Sequence, residues 1–384
     1  MIVTEIGDAN SDVQLIDAVD EKVSAVRTRQ LDLSFNELAD MYSSKELIIN
    51  PEYQRLFRWS TGARSRFIET LILELPVPPI FLMETDENVY ELIDGLQRIS
   101  SYLHFRGLLL DQDEPNLVLQ DCDIVSSLNG HTYRTLPAAL ERRLKRNFIR
   151  AEILRKESDR RLRYYMFKRL NSGGEGLEPQ EIRNCTIRLL GPEFNDILIR
   201  LSNYDDFTYC TATVPEAQRS KRYDEELVLR FFAFLRRSED YRHEVGDFLT
   251  EYMEAATDPA DLAEPVFDPV GDVETFQKTF KVIRKAAESR TDQLGTRVFG
   301  AVGSNRNIRG QFAVYHFEGL SLGIQPILDR LDPSDEPQMG RLGDLIFQIK
   351  TSPDLRAFTG GGKNTALAYR QRVQHFNQKF LAFE

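Results

Sequence analysis

Cysteine is scarce in this chain. Only Cys122, Cys185 and Cys210 occur, scattered and without pair spacing. That excludes a disulfide framework and a zinc ribbon, and leaves each thiol as a small core residue. The five histidines, His104, His131, His243, His316 and His375, are isolated, and none begins a His-x-x-Pro motif. A zinc or HNH nuclease centre needs clustered ligands, so neither is expected. No apolar run approaches the roughly 20 residues of a membrane span. The stretch from Met1 to Asp20 also lacks the basic and apolar regions of a signal peptide. The expectation is a cytoplasmic chain with no membrane contact. Basic residues are outnumbered as well: 49 Lys and Arg face 60 Asp and Glu, a formal net charge of −11. A protein that coats nucleic acid over its whole surface is thereby excluded.

What the chain does have is ordinary globular material, 41% apolar and 28% charged over 384 residues, enough for two domains. Its most informative stretch runs from Val89 to Leu103 and predicts a strand, a tight turn and a helix. Val89, Tyr90, Leu92 and Ile93 form a β-prone run, Asp94-Gly95 is a turn signal, and Ile99, Tyr102 and Leu103 recur at helical spacing until Gly107. Polar residues therefore gather where strand meets helix. A helix start presents unpaired N–H groups that favour an anion. There Asp94 can serve as acid, base or metal ligand, Gly95 lets a ligand approach the backbone, and Arg98 offers a forked donor matched to phosphate oxygens. The bland alternative for Asp94 is turn chemistry.

The flanking chain reads as α+β. Residues 1–30 are a weakly periodic lead-in. Ser34-Phe35-Asn36-Glu37 is a capping-box pattern, Leu47-Ile48-Ile49 a strand, and Ser60 caps a helix whose stripe Phe67, Ile68, Leu71, Ile72 and Leu75 ends at Pro76. Trp59, the lone tryptophan, suits a core anchor. After the rigid Pro76-Val77-Pro78-Pro79 connector, Ile80 to Met83 and Val89 to Ile93 form a hairpin. Residues 117–119, 124–125, 131–133 and 147–154 read as further strands, around a helix starting near Pro137. From Glu141 to Arg169 there are 12 Lys or Arg against 4 Asp or Glu. The segment Arg142 to Arg163 is thus either a face for a DNA backbone or a solvated helix face. Asn171-Ser172-Gly173-Gly174 breaks a helix, and Pro179 sits in the first turn of the next. From about Gly191 helices dominate, over 225–237, 273–289, 311–322 and 366–383. Thr359 to Thr365 invites a phosphate-loop reading but fails it, with Ala357 and Asn364 where Gly and Ser or Thr are required.

Asp94-Gly95-Leu96-Gln97-Arg98 resembles the Asp-Gly-Gln-Gln-Arg hallmark of a large bacterial family, the N-terminal module of GmrSD-type modification-dependent restriction enzymes. Tyr53-Gln54-Arg55 with Trp59, Pro78-Pro79-Ile80, and Arg169-Leu170-Asn171-Ser172-Gly173-Gly174 followed by Gln180 to Asn184 resemble its other segments, in the same order. Leu96 departs from the pattern, standing where the family has Gln. The resemblance implies a ParB/sulfiredoxin-like domain over 31–190, followed by a mostly α-helical domain over 191–384. It also implies a pocket for a nucleoside triphosphate with Mg²⁺. Gln54, Arg55, Gly95, Arg98 and Asn171 would hold the nucleotide, with Asp94 on the metal, and Asp94, Gln97 and Arg98 would carry the chemistry, supported by Gln180, Glu181, Arg183 and Asn184. The expectation is a nucleotide-dependent DNA-processing or phage-defence protein, an NTPase. Two alternatives stay open: a nucleotide-gated module that binds DNA or a partner without turnover, and a direct DNA phosphodiesterase. The partners implied are DNA and a second copy or a defence-system protein; the nuclease partner domain of the family is not found.

Overall fold

The computed structural model describes residues 19–20, 27–49, 59–109, 116–158, 166, 179–187, 190–242, 244–258, 264–303, 305, 307–358 and 365–383. The chain divides into two compact units, Met1–Leu177 and Glu178–Glu384.

The first unit is a mixed α/β layer built on one five-stranded sheet. Its strands are β1 (Thr28–Ser34), β2 (Leu47–Ile48), β3 (Ile80–Asp86), β4 (Val89–Asp94) and β5 (Phe148–Leu154), in the order β1-β5-β3-β4-β2. The β1–β5 and β3–β4 pairs are antiparallel, whereas β5–β3 and β4–β2 are parallel. Among the described residues four helices accompany the sheet: α1 (Phe35–Ser43), α2 (Thr61–Ile72), α3 (Leu96–Arg106) and α4 (Ala138–Arg146). Their ends follow local chemistry. Ser34 Oγ accepts from the Glu37 N–H at 3.1 Å and Ser60 Oγ from the Ala63 N–H at 3.2 Å, each satisfying a donor that the helix leaves over. Gly107 closes α3 in the left-handed region at φ 67°. The apolar stripes of the helices meet Leu82, Leu92, Ile149 and Ile153 of the sheet in a single core. Phe35 tilts against Tyr102 at 5.0 Å between ring centroids.

Two expectations fail here. The α2 helix stops at Ile72, and Leu75 is exposed, because Glu74 turns the chain at φ 57°. Residues 117–119, 124–125 and 131–133 are loop and short 3₁₀ turns (Ser126–Leu128, Tyr133–Thr135) instead of strands. Side chains take the backbone donors that a ladder would use: Ser65 Oγ accepts from Gln120 N–H, Asn129 Oδ1 from Cys122 N–H, and Glu69 Oε1 from both Ile124 and Val125 N–H. Leu117, Leu119 and Cys122 are buried by this loop.

The second unit is helical, with α5 (Pro179–Ile187), α6 (Glu193–Ser202), α7 (Asp205–Cys210), α8 (Glu216–Arg219), α9 (Tyr223–Arg237), α10 (Val245–Thr257), α11 (Gly271–Glu288), α12 (Val314–Gly323), α13 (Glu336–Thr351) and α14 (Ala366–Leu381). An antiparallel hairpin, β6 (Gly300–Val302) with β7 (Ile308–Phe312), interrupts them. Gln311 and Phe312, expected to open a helix, therefore belong to a strand, and α12 starts at Val314. Phe207, Phe231, Phe232, Phe276, Phe280, Phe299 and Phe317 form the buried centre. Two glycines let α12 and α14 approach: a Cβ on Gly319 or Gly323 would stand 2.4 Å from atoms of Phe376. A buried ionic chain adds to the apolar packing. Glu226 accepts from Arg183 at 2.7 Å and Arg230 at 2.9 Å, and Glu318 accepts from Arg230 at 2.8 Å and from Arg372.

Candidate functional site

The junction of β4 and α3 is built as its residues suggested. Asp94 ends the strand, Gly95 takes the left-handed conformation at φ 103°, and Leu96 opens the helix. Gly95 is required twice over. Its φ excludes most side chains, and an added Cβ would meet Ile80 Cγ2 at 2.3 Å. The first intrahelical bond of α3 is Ile99 N–H to the Gly95 carbonyl, 2.9 Å. The amides of Leu96, Gln97 and Arg98 thus precede the helical ladder and face the anion-favouring end of the helix dipole.

Arg98 is largely covered, with 14% of its side chain exposed, against 45% for Asp94. Its Nη1 donates to the Pro78 carbonyl at 2.8 Å and its Nη2 to Asp94 Oδ2 at 2.9 Å. These bonds use two of the guanidinium's five donors and fix its plane. The Asp94 carboxylate is more exposed and held from one side by the guanidinium. Gln97 also has a structural bond: its Oε1 accepts from the Trp59 N–H at 3.1 Å. Leu96 is partly buried against the core, so the departure from Gln is absorbed as packing. Three separated stretches converge at this point, namely Trp59, Pro78 to Ile80, and Asp94 to Arg98.

Sequence reasoning missed two members of this neighbourhood. Arg64 of α2 is only 8% exposed; its Nε donates to the Trp59 carbonyl at 2.8 Å and its Nη1 faces Nδ1 of His104, on α3, at 3.3 Å. The signal was present, since Arg64 stands one turn before Ile68 on the buried stripe of α2. The scattered placement of the histidines hid it. Trp59 itself is partly buried and meets Phe67 edge-on at 5.8 Å, as a core anchor should.

Of the remaining expected site residues, Gln54, Arg55 and Asn171 lie outside the described residues. Of the residues expected to support the pocket, Gln180, Arg183 and Asn184 are buried within the second unit. There Arg183 donates to Gln180 Oε1 at 2.8 Å and to Glu226, while Asn184 donates to Glu225. Among the described residues no group of three His, Cys, Asp or Glu side chains could hold a metal ion.

The basic segment is less basic in space than in sequence. Lys145 pairs with Glu141 at 2.7 Å, Arg150 with Asp32 at 3.0 Å, Arg155 with Glu84 at 3.2 Å and Lys156 with Asp86 at 3.5 Å. Arg142, Arg143 and Arg146 remain exposed on α4, with no ion pair among the described residues. Arg160, Arg161 and Arg163 are not among those residues. Nearby, burial pushes the Cys122 thiol up to about 11, so it stays protonated at neutral pH and is no nucleophile. Among the described residues no helix is long and apolar enough to cross a membrane.

Residues 36–188 match the family described as the GmrSD restriction endonuclease N-terminal domain. No curated protein and no solved structure matches the chain.

Proposed function

Because residues 36–188 belong to the N-terminal domain family of GmrSD restriction endonucleases, we propose that the first unit is a nucleotide-phosphate site serving a restriction or phage-defence function on DNA. The observation that carries this reading is the pre-set Arg98 guanidinium beside the open N-terminus of α3, entered through a left-handed glycine. In this reading the unit has the ParB/sulfiredoxin-like fold, Arg98 and the α3 amides hold phosphate oxygens, and Gln54, Arg55 and Asn171 complete the pocket. The donor set fits Mg²⁺ only in the form nucleotides bring it: Asp94 supplies one carboxylate, and phosphates and water supply the rest. Bound in that way, the ion would neutralise phosphate charge. Asp94 would then keep the Arg98 fork oriented and receive a proton from attacking water, while Gln97 holds the wall of the pocket. DNA would lie along the exposed α4 arginines, Arg142, Arg143 and Arg146, where phosphate contacts give affinity without reading sequence.

The test is phosphate release from ATP, GTP and CTP with Mg²⁺, with and without DNA, for the wild type and Arg98→Ala. Release that is lost in Arg98→Ala supports an NTPase and names its base; absence of both binding and release refutes the reading. A second reading has its own support: Asp94, Gln97 and Arg98 are each already bonded to structural partners. That suits a nucleotide-gated switch that binds without turnover, and calorimetric binding with no release would select it. Loss of hydrolysis in Arg98→Ala with DNA affinity retained would count against a direct phosphodiesterase.

A further inference from the structure

Strand β5 sends Ile149, Ala151 and Ile153 into the core and its alternate positions Phe148 and Arg150 outward. Phe148 is aromatic, yet it is 63% exposed. No neighbouring strand covers it. β3 joins β5 only from Ala151 onward, and the residue opposite on β1 is Ser34, whose Oγ is occupied by the Glu37 N–H. An exposed apolar side chain is ordinary by itself. What sets this one apart is its company. Arg142, Arg143 and Arg146 of α4 are all exposed; Arg146 stands two residues before Phe148, and Arg150 two residues after it on the same face of the strand. Two residues of chain span at most about 7 Å, so both flanking guanidinium groups come within side-chain reach of the ring. Arg150 is held by both oxygens of Asp32, Nε at 3.0 Å and Nη2 at 3.2 Å, which fixes its plane. Asp32 and Glu152 lie farther along this face, so its positive end is the end that carries the ring.

A flat apolar ring among exposed cations matches a nucleic-acid strand whose bases are unstacked. The ring takes the face of one base, and the arginines take the phosphates on either side. A closed duplex offers no such face, because its bases are stacked on one another. We propose that Phe148 is a base-stacking platform, and that the DNA held by the α4 arginines is single-stranded where it crosses the start of β5. The proposal rests on the DNA reading above and adds which form of DNA this surface takes. Ring and arginines all belong to the first unit, so the surface needs nothing from the second.

The test uses the full-length protein and one fluorescein-labelled oligonucleotide of mixed sequence, offered as a single strand and annealed to its complement, with binding read by fluorescence anisotropy. The wild type should bind the single strand more tightly. Phe148→Ala should weaken single-strand binding by roughly 5- to 150-fold, the loss of one base–aromatic stack, and leave duplex binding unchanged. It should also leave the slope of log affinity against log salt unchanged, since the ring neutralises no phosphate. Phe148→Leu keeps an apolar side chain without a π-face and should fall with Phe148→Ala. Phe148→Trp should keep the affinity, and its emission, read as the difference from the wild-type Trp59 signal, should be quenched by the single strand and not by the duplex. Because the position is exposed, the urea midpoint should be the same in all three variants; if Phe148→Ala unfolds, the tryptophan variant decides alone. A wild type without preference for the single strand, equal single-strand affinity in wild type and Phe148→Ala, or an unquenched Phe148→Trp overturns the platform while duplex binding leaves the DNA reading standing. A wild type that binds neither form overturns the DNA reading itself.

Discussion

Replacing Gly95 by alanine should damage the first unit in two separable ways. The backbone stays at φ 103°, which costs an L-residue roughly 1–2 kcal/mol. The new methyl also falls 2.3 Å from Ile80 Cγ2, and Ile80 is fully buried, so the strand or helix must shift, at about 1–3 kcal/mol for overpacking. Alanine loses less chain entropy on folding, which returns roughly 0.4–1 kcal/mol. The net loss is about 1–4.6 kcal/mol. At a urea dependence of about 2 kcal/mol per molar, the midpoint should fall by roughly 0.5–2.3 M. Trp59 fluorescence is the right probe, because the only tryptophan lies in this unit and bonds to α3. Ile80→Ala is destabilising alone, yet the double variant should recover the overpacking share, a favourable coupling of about 1–3 kcal/mol, and keep the φ cost. A midpoint unmoved by Gly95→Ala, or no coupling to Ile80→Ala, would refute the account of why glycine stands there.

Glu318→Gln leaves Arg372 without its buried carboxylate and Arg230 with Glu226 alone, and should cost about 3 kcal/mol by denaturant titration of the second unit; less than 1 kcal/mol would contradict the ionic chain. Lys350 is buried, its Nζ donating to the carbonyls of Val298 and Gly300, and burial holds its pKa well below the usual lysine value. Between the folded and the ordinary pKa the unfolded chain binds more protons, so this group penalises folding at neutral pH and progressively less as pH rises toward the ordinary value. The stability difference between wild type and Lys350→Met should therefore shift in favour of wild type from pH 7 to pH 10; a constant difference would sink the idea. Changing Arg142, Arg143 and Arg146 together to glutamine should flatten the salt dependence of DNA binding, lowering the log–log slope by up to about 2.7 for three duplex contacts. An unchanged slope would move DNA off α4.

The β3–β4 hairpin, the α3 helix and its glycine boundaries were legible because each is set by residues close in sequence: Asp94-Gly95 for the turn, Gly107 for the stop, Ser34 and Ser60 for the caps. The loop over α2 was not. Leu117 and Leu119 alternate as a strand would, but whether their neighbours' amides find a ladder or Ser65, Asn129 and Glu69 is a matter of distant partners. Phe312 failed for a similar reason, since it pairs with Gly300 across the β6–β7 hairpin while its apolar neighbours look helical. At the site, the identity of the cluster was readable and the bonding within it was not. Gln97 looked like a group for the ligand, and the fold uses its oxygen to hold Trp59.

The α5 helix carries a consequence for how this protein can be taken apart. Residues 179–187 fall within the stretch that matches the restriction family, yet they belong to the second unit and are bonded there to α9. Ancestry and folding draw their borders at different places. A fragment trimmed where the similarity ends, at 188, would carry the whole of α5 but strip Arg183 and Asn184 of Glu226 and Glu225, leaving those carboxylates to Arg230 and Arg222. A stretch cut out by family similarity thus carries with it the demand for carboxylates at the places of Glu225 and Glu226.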